Sequence, residues 1–165
     1  MPLFYQDFLI RAWRSTDRVA AAAIISAVLA EYGLGWEPLG ADRDVQEVEQ
    51  FYREGEFWVV EQAGQLVGTA AYYPIERGRR AVEIRKMYLL PAVRNQGLGR
   101  HLLQQLEQAI AARGFEQVWI ETASVLQLAT KLYESQGYCL TIGVETRRCD
   151  RVYVKQLKSP ESLTQ

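Results

Sequence analysis

Three strand-like runs stand in a row in the middle of this chain, and they constrain its fold more than any other feature. "EFWVVEQ" (56–62) and "LVGTAAYYPI" (66–75) are rich in β-branched and aromatic residues, and "AGQ" (63–65) between them is a hairpin signal. "RAVEIRKMYLL" (80–90) follows and is closed by Pro91. Neighbouring strands joined by turns this short run antiparallel, so the centre of the fold is a meander.

The flanking sequence supplies helices and further strands. "DFLIRAW" (7–13) reads as a first strand. Ser15 or Thr16 then offers an N-cap, Asp17 sits in the first turn and Gly33 supplies a stop, which predicts a helix over 17–32. "GLGWEPLGAD" reads as loop. "DVQEVEQFYRE" (44–54) reads as a second, short helix with Val45, Val48, Phe51 and Tyr52 at helical spacing. Beyond the meander, Leu98, Leu102, Leu106, Ala109 and Ile110 form one stripe of a helix that ends at Gly114. "EQVWIET" (116–122) is a buried-looking strand. Ser124 and Gln127 form a capping box for a helix that stops at Gly137, and strands at 138–145 and 150–157 follow. The order β-α-α-β-β-β-α-β-α-β-β predicts an α/β fold: a mixed, mostly antiparallel central sheet flanked by helices. One domain over 1–157 and a flexible tail over 158–165 complete the expected organisation.

Composition removes several function classes. A formal charge of −1 argues against nucleic acid as the main partner. One histidine, and two cysteines outside any metal-ligand spacing, leave no basis for a metal site or a serine triad. Cys139 and Cys149 read as free thiols, because a chain of 165 residues needs no covalent staple. The apolar run "VAAAAIISAVLA" (19–30) is too short to span a bilayer and lacks signal-peptide flanks. The expectation is a cytoplasmic protein with no membrane partner.

The segment "RNQGLGRHLL" (94–103) carries the strongest chemical signal. The plain reading is a glycine-shaped loop entering a helix. A second reading is a dinucleotide site, with Glu121 as the ribose-binding acid. Leu102 stands where the third glycine of that fingerprint belongs, and the six residues from Pro91 to Gln96 separate the strand from the glycines. A third reading is a cradle for the pyrophosphate of coenzyme A. Residues without a Cβ let a phosphate approach the backbone, and uncapped N–H groups at a helix start favour its charge. Arg94 and Arg100 add to that field.

"RNQGLG" resembles the Arg/Gln-x-x-Gly-x-Gly/Ala signature of the GCN5-related N-acetyltransferase (GNAT) superfamily. "EIRKMYLLPAVR" is similar to that family's strand before the signature, and "ATKLYESQGY" to its Ala-x-x-Leu-Tyr-x-x-x-Gly-Phe/Tyr helix. The element order fits over nearly the whole chain. The resemblance implies acetyl-CoA as co-substrate, a primary amine of a small molecule or amino acid as acceptor, direct attack on the thioester, and a homodimer as a common assembly.

It also implies that the strands at 80–90 and 116–122 splay apart to admit the pantetheine arm. Met87, Tyr88 and Leu89 would meet that arm through main-chain groups, and Arg94, Asn95, Gln96, Gly97, Leu98, Gly99 and Arg100 would hold the pyrophosphate. Leu126 replaces a frequent asparagine beside the arm and offers an apolar surface instead. Tyr133 would face the sulfur and protonate the leaving thiolate; its plain alternative is a core aromatic beside Leu132. Glu83 stands where one branch of the family carries a general base, and its plain alternative is a surface carboxylate paired with Arg85. Alternation along the strand places Glu83, Arg85, Met87 and Leu89 on one face. Arg85, Tyr72, Tyr73 and residues 33–43 are candidates for the acceptor pocket, and His101 reads as a surface or partly packed residue. Two alternatives stay open at this level: a non-catalytic acyl-CoA sensor of the same fold, and a nicotinamide-dependent oxidoreductase.

Overall fold

The central hairpin closes on two residues, Ala63 and Gly64, both at positive φ (51° and 79°), with Gln62 paired to Gln65. That turn twists with its strands and fixes their register. The computed structural model describes residues 1–158; the remainder of the expected tail, 159–165, lies outside the described residues.

Among those residues the strands are β1 (Leu3–Tyr5), β2 (Phe8–Ala12), β3 (Glu56–Gln62), β4 (Gln65–Ile75), β5 (Ala81–Leu89), β6 (Gln117–Thr122), β7 (Cys139–Thr141) and β8 (Arg151–Gln156). The helices are α1 (Arg18–Glu31), α2 (Arg43–Gln46), α3 (Val48–Phe51), α4 (Leu98–Ala112) and α5 (Gln127–Ser135). The strands form one sheet in the order β1-β2-β3-β4-β5-β6-β8-β7. Only β5 and β6 pair in parallel, across the α4 crossover. The expected mixed, mostly antiparallel sheet is therefore present.

Two layers cover the sheet. Leu98, Leu102, Leu103, Leu106 and Ile110 of α4 are buried in the main core with Val82 and Ile84 of β5 and with Val118 and Ile120 of β6. Each such leucine contributes about 1.5–3 kcal/mol by leaving water. On the opposite face Ile25 and Leu29 of α1 pack with Val45 and Tyr88.

Several expected details differ. β1 and β2 form an N-terminal hairpin where one strand was expected; Gln6 turns it at φ 51°. The helix expected over 44–54 breaks into α2 and α3 because Glu47 leaves helical geometry (φ −132°, ψ 45°). The Ser124–Gln127 capping box does not form. Ser124 instead donates its amide and hydroxyl to Asp150, both at 2.6 Å, and Leu126 is the N-cap residue of α5. The strand expected over 138–145 is only β7, three residues long. Cys139 and Cys149 are both free thiols.

Candidate active site

β5 and β6 pair only from Ala81–Gln117 to Ile84–Ile120. Beyond that point β5 keeps its other edge on β4, while Glu121 and Thr122 of β6 pair with β8. The two strands diverge, and a cleft of about 420 Å³ opens between them.

The divergence begins at a β-bulge. Lys86 takes φ 53°, and the β4–β5 register shifts between Thr69 and Ala71. A bulge bends its strand and increases the twist. A left-handed lysine costs roughly 1–3 kcal/mol, so its surroundings must hold it there. Thr69 Oγ1 donates to the Lys86 carbonyl at 2.6 Å. Lys86 Nζ lies 3.0 Å from Asp42 and 3.3 Å from Asp44, and donates to the Ala41 carbonyl at 2.9 Å.

The bulge also overturns the expected alternation. Val82 and Ile84 face α4, and so do Met87 and Leu89, which pack against that core. Arg85 and Lys86 both reach the Ala41 carbonyl on the α1–α2 side, and Tyr88 packs there on Ile25 and Leu29. Glu83 and Arg85 therefore do not share a face with Met87 and Leu89. The extra residue shifts the period-two pattern by one.

At one end of the cleft, α4 begins at Gly97 without a side-chain cap, in the left-handed region at φ 81°. The first bond of the helical ladder runs from the His101 amide to the Gly97 carbonyl at 3.0 Å, so the amides of Leu98, Gly99 and Arg100 stand ahead of it. A Cβ at position 97 would lie 2.6 Å from the Tyr5 hydroxyl, which itself donates to the Gln96 carbonyl at 3.0 Å. Gly99 differs: a Cβ there would meet only ordinary contacts, 3.5 Å from Leu132 and 3.7 Å from Leu89. The protein's own packing does not require this second glycine.

Arg94, Asn95, Gly97, Gly99 and Arg100 line the cleft. Arg94 commits its guanidinium to both Glu31 oxygens (2.6 and 2.8 Å) and to the Leu89 carbonyl (3.0 Å), tying the loop to α1 and β5. Arg100 is exposed and makes no ion pair among the described residues. Gln96 and Leu98 are not part of the cleft wall. Gln96 turns its amide to the Ala92 carbonyl, and Leu98 is buried in the main core. Met87, Tyr88, Leu89 and Leu126 do line it.

Tyr133, on the inner face of α5, is buried between the rings of Tyr138 and Tyr153 and lines the cleft. Burial first, and then neighbouring Tyr88, raise its phenol well above the ordinary value, so it holds its proton at neutral pH. Glu83 is 7% exposed, sits opposite Tyr73 on β4 and lines the same cleft. Burial pushes its carboxyl up, against the opposing pull of Arg85 with Nε 4.0 Å away. The Tyr73 hydroxyl donates to it at 3.4 Å. Cys149 is also in the wall; burial pushes its thiol up to about 11, which keeps it neutral and poorly nucleophilic.

Asp42, within the expected 33–43 segment, and Arg148, which the sequence pattern did not single out, tie the roof together. Asp42, fully buried, takes two bonds from Arg148 (2.7 and 2.8 Å) and one from the Glu37 amide (2.9 Å). Arg148 thereby joins the β7–β8 loop to the loop before α2. Glu121 anchors the same β7–β8 loop: it accepts the amides of Glu145 (2.9 Å) and Thr146 (2.8 Å) and pairs with Arg77 at 2.7 Å. These bonds engage the carboxylate that a dinucleotide site would need free, and a doubly wound parallel sheet is absent among the described residues. Tyr72 also departs from expectation. It is fully buried in the α4-side core, and its hydroxyl bonds Glu56 and Arg113, so it takes no part in the pocket.

A forked sheet with an uncapped helix start at one end of the opening is the arrangement that the resemblance to the acetyltransferase superfamily implied. The family model for the acetyltransferase (GNAT) family matches residues 21–138, and the chain belongs to that family. It is 36% identical to the uncharacterized N-acetyltransferase YjgM of Escherichia coli (strain K12), over 81% of this chain and 83% of that protein. A GNAT-family acetyltransferase from Staphylococcus aureus Mu50 shares the fold with a TM-score of 0.83 at 17% identity, covering 92% of this chain and 99% of that one. A protein from Salmonella typhimurium, whose structure holds its cofactor acetyl-CoA, superimposes with a TM-score of 0.71 at 23% identity, over 93% of this chain and 96% of that one. No helix among the described residues is long and apolar enough to cross a membrane.

Proposed function

We propose that this protein transfers the acetyl group of acetyl-CoA to the primary amine of a small molecule or amino acid by direct attack on the thioester. One observation carries the reading: Met87 to Leu89 on the unpaired edge of β5, Gly99 and Arg100 at the uncapped start of α4, Tyr133 and Glu83 all line one cleft. Main-chain groups of Met87 to Leu89 offer an extended pantetheine arm a strand-like edge. The α4 amides, Gly99 and Arg100 offer the pyrophosphate a positive, uncrowded seat.

The chemistry then follows from the two titratable groups. An acceptor ammonium loses one proton toward Glu83, a carboxylate whose raised affinity for protons suits a general base. The amine nitrogen attacks the thioester carbonyl carbon, and amides of β5 stabilise the developing oxyanion. The carbon–sulfur bond breaks and the leaving sulfur takes the Tyr133 proton, while the second proton of the attacking nitrogen returns through solvent to the Tyr133 oxygen; the products are the free thiol and the acetamide, and Glu83 releases its proton to solvent. A neutral Cys149 thiol favours this single transfer over an acyl-enzyme route.

Calorimetric titration with CoA, followed by thiol release with acetyl-CoA and an amine panel, tests the reading. Micromolar binding with acceptor-dependent thiol release is expected. Binding without any turnover points to a sensor, and NADH binding in place of CoA overturns both.

A further inference from the structure

Besides the arginines at the α4 end, three cationic side chains line the cleft, and two of them are already matched. Lys86 and Arg148 both have Asp42, at 3.0 and 2.7 Å. Arg85 is the exception. Its guanidinium donates to two neutral oxygens, the Tyr73 hydroxyl at 3.2 Å and the Ala41 carbonyl at 3.4 Å, and its closest ion-pair approach to a carboxylate is 4.0 Å, to Glu83. A guanidinium carries five N–H donors in a planar fork, so donors remain on this one. Its side chain is 20% exposed and lines the cleft beside Glu83.

The spacing describes an occupant. Arg85 Nε and Glu83 Oε1 stand too far apart for a hydrogen bond to each other and close enough for one small zwitterion to touch both. An α-amino acid places its carboxylate and its amine on one carbon. With the carboxylate on Arg85, the amine lies at Glu83, next to the group proposed to take its proton. A zwitterion adds no net charge to a pocket whose other charges are paired, whereas a bare ammonium would face the Arg85 cation without compensation.

We infer that the acceptor is an amino acid or a closely related amino carboxylate, and that Arg85 is the residue that binds its carboxylate. The inference rests on the acetyltransfer reading above and narrows its acceptor. The reaction balances as one ammonium and one thioester giving an N-acetyl amino acid, a free thiol and one proton released to solvent.

The test uses the full chain with saturating acetyl-CoA and measures thiol release. Each α-amino acid in the panel is paired with its carboxamide and its decarboxylated amine. Acids are expected to exceed both partners in kcat/KM by about 10- to 100-fold, mainly through KM. Arg85→Gln should collapse that ratio and Arg85→Lys should restore part of it, with acetyl-CoA affinity reporting that each variant is folded. If Arg85→Gln does not fold, the wild-type ratio alone decides. Equal use of acids and amides overturns the acceptor assignment and leaves the transferase reading standing. An acid preference that survives Arg85→Gln removes Arg85 from the role. Acetyl-CoA binding with no acid turned over also overturns the inference, and absence of both binding and thiol release ends it together with the transferase reading.

Discussion

Lys86 Nζ lies 3.0 Å from Asp42 Oδ1 with both side chains buried, and this pair ties the bulge of β5 to the loop that leads into α2. The same Asp42 holds Arg148 of the β7–β8 loop. One carboxylate therefore joins the strained residue that opens the sheet to the two loops that roof the opening.

Acid should loosen this junction first. Burial alone would raise the Asp42 carboxyl, but the Arg148 hydrogen bond and the Lys86 charge outweigh it and hold the group down at about 2. A carboxylate held below its ordinary value lends stability that is complete above that value and is lost as pH falls toward 2. The loss amounts to about 2 kcal/mol. Asp42→Asn should cost about 3–5 kcal/mol at neutral pH by leaving buried cations uncompensated. It should also flatten the acid dependence, both read from urea midpoints.

The two glycines should separate stability from binding. Gly97→Ala forces a left-handed alanine against the Tyr5 hydroxyl and is expected to cost about 1–2 kcal/mol or more. Gly99→Ala meets only ordinary contacts and replaces a helical glycine, so stability should hold or rise by up to about 1 kcal/mol. Acetyl-CoA affinity should nevertheless fall about tenfold or more, because the added methyl intrudes on the space before the α4 amides. Thermal melts and calorimetry on the same two variants check the contrast.

Tyr133→Phe removes a hydroxyl that has no protein partner among the described residues. Thermal stability should change little, acetyl-CoA affinity should persist, and kcat should drop by about 10²- to 10⁴-fold. The drop should shrink for acyl donors with more acidic thiols, which need less help from a proton donor.

Glu83 predicts an acid limb in kcat/KM. Because burial raises its carboxyl above the usual 4.5, the base form fills only at higher pH, and activity should climb as pH rises through that shifted value. Glu83→Gln should lower kcat/KM by about 10²-fold or more and abolish the limb. A limb that survives the substitution assigns the titration to another group.

The meander, the α4 stripe and the glycine segment were legible in the sequence because each depends on local chemistry: a turn, a period, a missing side chain. Leu98 to Ile110 pack as their spacing predicts. The Lys86 bulge was not legible. A bulge leaves no local residue signature when the left-handed position is a lysine, and what holds Lys86 there comes from Asp42 and Asp44, more than forty residues earlier in the chain. The faces of Met87 and Leu89 were misplaced for the same reason. Arg148 on Asp42, and Tyr5 on Gln96, are likewise contacts between distant segments that only the folded sheet brings together. The Ser124 cap failed because a competing carboxylate, Asp150, took the hydroxyl.

The fork between β5 and β6 has one more effect. A strand edge left bare at a sheet's rim invites other polypeptides and seeds association. Here the bare edge lies inside a wedge that shuts at Ile84 and Ile120, so a folded neighbour's strand has no straight run in which to lie alongside it. Only a slender, single thread can enter from the open end, and the sheet's shape thus screens visitors by thickness before any side chain inspects their chemistry.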